Sequence, residues 1–205
     1  GGLWRTLEGH KRDLERMDPS LVKLDGRSGA LRAQWRLDDP RLSIRHLAWA
    51  PAASTEAGHT QLMGVALQAE HDDPAQRAAA PLLALYDGQS LHALAQPASE
   101  AAAGYAGDIA APTGRDFVVS AQRAGEALRW QDEGTALQTI AKLHDVCGLA
   151  ALPGRDDAAL VVTGARGLGL WHPQRPARLF AWPLPMAVDN HVVVLDATAA
   201  APAIS

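Results

Sequence analysis

An all-β fold is what this sequence predicts, and three observations carry the prediction. Sustained helical periodicity is scarce, whereas short runs of β-type residues bounded by Gly, Pro, Asp and Asn recur along the chain. Two pairs of these runs are joined by turn-forming tetrads and read as hairpins. The runs also group in fours at intervals of about 40 residues, which is the spacing of β-propeller blades and not of helical solenoids.

The first hairpin pairs Leu21 to Asp25 with Leu31 to Leu37 across Gly26-Arg27-Ser28-Gly29. The first set of four then opens at Ile44 to Trp49 and continues through Leu62 to Ala69, Leu82 to Tyr86 and Leu91 to Leu94. Its last two strands are joined by Asp87-Gly88-Gln89-Ser90, where Asp-Gly supplies the positive φ of a tight turn. His71 to Pro81 lengthens this set as a polar loop. The second set is Ile109 to Ala111, Phe117 to Ser120, Ala127 to Trp130 and Leu137 to Lys142. The third is Cys147 to Leu152, Leu160 to Thr163, Leu168 to His172 and Ala177 to Trp182, and one more strand is expected over Val192 to Leu195.

Residues 1–196 are therefore expected to form one part of a single propeller domain, with Ala197 to Ser205 a disordered tail. About three and a half blades are present on this count, too few to bury both end faces of a ring. Missing N-terminal blades, or a second chain, are expected to close it. The chain starts at Gly1 and not at a methionine, so an upstream segment is expected as well.

Composition removes several function classes. Nineteen basic residues against 23 acidic ones give a net charge of −4, with no basic stripe, which argues against nucleic acid as the main partner. No apolar run approaches the roughly 18 to 20 residues of a membrane-spanning helix. One cysteine, Cys147, excludes an internal disulfide framework and a cysteine-based structural zinc site. Gly164, Gly167 and Gly169 follow a strand but lead into another strand, so the helix N-terminus that a dinucleotide phosphate needs is lacking. No GxSxG elbow or HExxH pair occurs.

Several short motifs resemble one family. Met17-Asp18-Pro19-Ser20-Leu21-Val22-Lys23-Leu24-Asp25, Arg27-Ser28-Gly29-Ala30-Leu31 and Leu42-Ser43-Ile44-Arg45-His46-Leu47-Ala48 look like the middle of domain-of-unknown-function family 1513. Asp145-Val146-Cys147-Gly148 and Asp189-Asn190-His191 look like its later motifs, in the same order and spacing. Gly104 to Asp108 matches only loosely, and Met186-Ala187-Val188 replaces an expected Trp. The resemblance implies a seven-bladed, WD40-like propeller of which this chain is the C-terminal half. It also implies export to the periplasm through a twin-arginine signal, and genes that neighbour imelysin-type, iron-regulated proteins. It supplies no activity.

In a propeller the innermost strand of each blade lines the central channel, so residues at its start approach the axis near one mouth. Arg45, His46, Asp108, Asp145, Asp189, Asn190 and His191 are the candidate ligand-binding residues on this ground. His46, His191 and Asp189 are the candidate metal ligands, because imidazole and carboxylate suit divalent iron, zinc or copper. The competing reading is that these Asp and His side chains tie one blade to the next by hydrogen bonds. Arg45 could clamp an anion or a neighbouring carboxylate. Cys147 reads as a buried small hydrophobe. His10, His59, His71, His92 and His172 are expected to be solvated, and Trp35, Trp49, Trp130 and Trp171 to pack between blades.

The function expected is a periplasmic binding or interaction propeller, taking a small ligand or a protein partner and linked to iron handling through the resemblance. A metal-assisted lyase or hydrolase is the first alternative, and a purely structural scaffold the second.

Overall fold

The computed structural model describes residues 4–5, 11–51, 61–94, 102–131, 136–152, 158–184, 186 and 189–195. The architecture is all-β and antiparallel. Two short pairs come first: β1 (Trp4–Arg5) with β2 (Lys11–Arg12), and β3 (Ser20–Leu24) with β4 (Leu31–Arg36). Three four-stranded sheets follow. They are β5 (Leu42–Trp49), β6 (Met63–Ala69), β7 (Leu83–Tyr86) and β8 (Leu91–Ala93); β9 (Ile109–Thr113), β10 (Asp116–Ala121), β11 (Glu126–Gln131) and β12 (Gln138–Lys142); and β13 (Leu149–Ala151), β14 (Leu160–Gly164), β15 (Gly167–His172) and β16 (Arg175–Ala181).

Within each sheet the spatial order follows the chain order, the up-and-down meander of a blade. The first strands of successive sheets touch, β5 against β9 and β9 against β13. That contact makes the arrangement β-propeller-like, because it gathers the inner strands side by side.

The turns explain the hairpins. Asp25 Oδ1 accepts the backbone N–H groups of Arg27 at 3.1 Å and Ser28 at 2.9 Å, and Gly29 closes the turn at φ 68°. The β7–β8 turn uses the same device. Asp87 Oδ1 accepts from Gln89 N at 2.9 Å and Ser90 N at 2.7 Å, with Gly88 at φ 93°.

The core lies between sheets. Leu21 and Leu37 pack on Leu42, Val65 and Leu67 beneath the β3–β4 pair. Ala66, Leu83 and Leu85 face Ile109, Phe117 and Val119 across the next seam. Ala110, Val118 and Ala127 meet Val146, Leu149, Leu160 and Val162 across the third. Phe117 is fully buried, and its burial stabilises the seam by about 1.5–3 kcal/mol. The last seam also carries a polar link: Arg129 pairs with Asp116 at 2.5 Å while its guanidinium stands 5.4 Å from the Trp171 ring centre.

Several sequence expectations need correction. The insertion at His71 to Pro81 is not all loop, because Pro74–Ala79 forms a helix, α1. Asp73 caps it by accepting from Ala75 N at 2.9 Å, and Pro74 starts it where no N–H is needed. Residues 191–195 form no strand, because among the described residues they have no ladder partner. β13 begins at Leu149, two residues later than expected.

Two histidines expected to be solvated are not. His71 is largely covered and meets Asp39 at 2.9 Å, and His172 is buried, its Nδ1 accepting from Gln174 N at 2.9 Å. Trp49 is 55% exposed instead of packed between sheets. Trp130 is buried in the second seam, and Trp35 donates to Gln89 O at 2.8 Å across the first. The expected tail over 197–205, with His10 and His59, lies outside the described residues.

Candidate functional site

The site begins with an irregularity in β5. Ile44 pairs with Leu67 and His46 pairs with Ala66, so Arg45 is an extra residue, a β-bulge. In a regular strand Ile44, His46 and Ala48 would share one face. Here Ile44 packs under the β3–β4 pair, whereas Ala48 and Ala66 belong to the seam facing the second sheet. The bulge therefore turns His46 towards β9. Arg45 itself is exposed and lines, with Met17 to Ser20, a recess on the other side of β5.

Asp108 is the residue immediately before β9, and it is only 7% exposed. Both of its oxygens are engaged. Oδ1 accepts the N–H of Ile109 at 2.9 Å, and Oδ2 accepts the N–H of Leu149, the first residue of β13, also at 2.9 Å. A buried carboxylate needs such donors. These two fix its orientation and tie the second sheet to the third.

His191 arrives on the segment after β16. Its Nδ1 is 3.5 Å from Asp108 Oδ1, and its ring centre is 4.4 Å from that of His46, tilted by 57°. The backbone of this segment lies on Gly148, where a Cβ would come within 3.0 Å of His191 C and Val192 N. Cys147 sits beside it, with Sγ 3.8 Å from the Asp189 carbonyl oxygen and 3.4 Å from Thr163 Oγ1. Only glycine at 148 permits this approach.

The result is a cluster of two imidazoles and one carboxylate, from three parts of the chain. Each of His46, Asp108 and His191 offers one ligand atom, and these atoms all lie within 4.8 Å of one another. The His46 pKa is held below its ordinary value, first by burial and then by His191 and Arg45, with Asp108 pulling the other way. The neutral ring is the form that ligates a metal.

The other sequence candidates lie apart from the cluster. Asp145 is exposed at φ 52°, with its carboxylate 3.0 Å from His144 Nδ1. Asp189 is exposed, and its Oδ1 accepts the N–H of Asn190, also exposed, at 2.6 Å. Asp189 thus meets Cys147 through its backbone carbonyl and not through its carboxylate. Cys147 is buried, as its type suggests.

What sequence reasoning missed is the bulge. Its signal was readable, since Leu42, Ile44, Leu47 and Trp49 are apolar at spacings of two, three and two. A step of three inside an alternating strand marks one inserted residue. The Asp108 bond to Leu149 leaves no such trace, because nothing local joins residues 41 apart in sequence.

A family model described as "Protein of unknown function (DUF1513)" matches residues 1–195. The chain belongs to this family. The matched span of the DUF1513 chain takes in all three clustered residues and the whole segment that carries His191. Comparison of the DUF1513 chain with curated proteins gives no match.

Proposed function

We propose that this chain is the metal-binding part of an exported, periplasmic binding propeller, and that His46, Asp108 and His191 hold one divalent first-row transition cation. The observation that carries the proposal is their convergence within 4.8 Å from β5, from the start of β9 and from the segment after β16. Two imidazoles and a carboxylate suit iron, zinc or copper better than calcium or magnesium, which take oxygen ligands. Tetrahedral bonds of about 2.0–2.2 Å set donors roughly 3.4 Å apart, so closure onto an ion asks the three donors to draw together by up to about 1.4 Å.

The Asp108 hydrogen bonds support the same reading. Donors that lock a carboxylate in place are the outer shell that metal sites use to orient their ligands. They also make Asp108 an inter-sheet tie, so one residue serves both roles. Export and a link to iron handling come from the family resemblance and fit a cation of this class. A metal-assisted lyase or hydrolase would draw on the same donors, but binding asks for nothing beyond the cluster itself.

Calorimetric titration of the metal-free full chain with zinc, cobalt, magnesium and calcium tests the proposal. One equivalent of zinc or cobalt should bind, with no heat from magnesium or calcium. A His46→Ala, His191→Ala double variant that still takes up one equivalent with unchanged affinity would contradict it.

A further inference from the structure

Four-coordinate metal sites divide by the number of protein donors they use. Structural zinc sites use four and are closed, whereas three donors leave a position for water or an exchangeable ligand. Here the donors are His46, Asp108 and His191, and among the described residues no fourth His, Cys, Asp or Glu joins them. The neighbours that could have done so are engaged elsewhere: Cys147 Sγ with Thr163 Oγ1, Asp145 with His144, and the Asp189 carboxylate with Asn190 N.

Access is uneven across the cluster. Asp108 closes one side, with its side chain 10% exposed and both oxygens taken by backbone donors. The His191 side chain, in contrast, is 48% exposed, so the cluster opens to solvent on that side. The local charge favours an incoming anion. A divalent ion facing one carboxylate keeps a net positive charge.

Resting on the metal reading above, we infer that the bound cation keeps an exchangeable position on the His191 side and takes a small anionic ligand there. The class is a monodentate anion with an oxygen or nitrogen donor, such as a carboxylate. Binding is a ligand exchange in which one water leaves the ion and the anion enters, with no protein bond made or broken. The site is thereby a receptor for a metal and anion pair, where a closed site would be a structural staple.

Cobalt(II) reports both steps separately, because its visible absorption follows coordination. The cobalt-loaded full chain is titrated with sodium azide and, in a second arm, with sodium acetate. Saturable changes in band position and intensity are expected with each anion, unaltered in an Asp189→Ala or Asp145→Ala variant. Stoichiometric cobalt uptake with a spectrum indifferent to both anions would overturn the open position and leave metal binding standing. Failure to take up cobalt at all would overturn both.

Discussion

The carboxylate of Asp108 accepts the backbone N–H of Leu149 at 2.9 Å, across the boundary between the second and third four-stranded sheets. The same carboxylate accepts Ile109 N through its other oxygen. Asparagine has a single acceptor oxygen and cannot serve both. Asp108→Asn should therefore leave one buried N–H facing an amide N–H₂, at a cost of about 1–3 kcal/mol. Urea denaturation in chelator measures this free of metal. A loss below roughly 0.5 kcal/mol, the range of ordinary surface substitutions, would mean that the tie contributes little.

The His46 and His191 rings lie 4.4 Å apart, and burial with this neighbour lowers the His46 pKa. The sign follows from proton counting. Between its folded value and its ordinary value near 6.5, the unfolded chain binds a proton at His46 that the folded chain does not. The stability contribution is thus present above about pH 6.5 and lost as pH falls below it. Urea midpoints across that window should fall on acidification in wild type and less so in His46→Gln, where this ring is absent. Equal slopes would remove His46 as the source.

Arg45 is an inserted residue, so deleting it should restore a regular β5 ladder with Ile44 and His46 still on their present faces. Deleting Leu47 instead shifts the alternation and moves residues from core to solvent. The Arg45 deletion should fold and keep zinc uptake within about tenfold, while the Leu47 deletion should be strongly destabilised. Similar damage from both would argue that the bulge does more than set the register.

Gly148 carries the segment that brings His191 in. An added methyl would meet Thr163 Oγ1 at 2.9 Å and the His191–Val192 peptide at 3.0 Å. Gly148→Ala should therefore displace residues 191–192 and weaken zinc binding by tenfold or more. Hydrogen exchange gives the companion readout: zinc should slow exchange over 189–195 in wild type and do so less in the variant. Unchanged affinity in Gly148→Ala would separate His191 placement from that contact.

The strand order was legible because it is written locally. Alternating apolar runs and the Asp-Gly turn at 87–88 place β7 and β8 to within a residue, and the same logic finds each four-stranded set. α1 was missed although Asp73-Pro74 is a helix-start signal, because six residues give too little periodicity to weigh against a loop. The strand expected over Val192 to Leu195 failed for a non-local reason: β-type residues become a strand only where a partner edge exists. The site was half legible. Residue type flagged His46, Asp108 and His191 as ligand-binding candidates together with Asp145 and Asp189, and its metal set took Asp189 where the structure brings in Asp108; only a fold that sets β5 beside β9 and lays 191–192 over Gly148 separates the two groups.

Zinc-edge X-ray absorption of the loaded full chain decides whether His46, Asp108 and His191 hold the ion, since it counts the ligands themselves. Two imidazole nitrogens are expected at about 2.0–2.1 Å, completed by oxygen donors and without sulfur, with a single imidazole in the His191→Ala protein. A spectrum without imidazole scattering, or one with a sulfur at about 2.3 Å, would contradict this assignment.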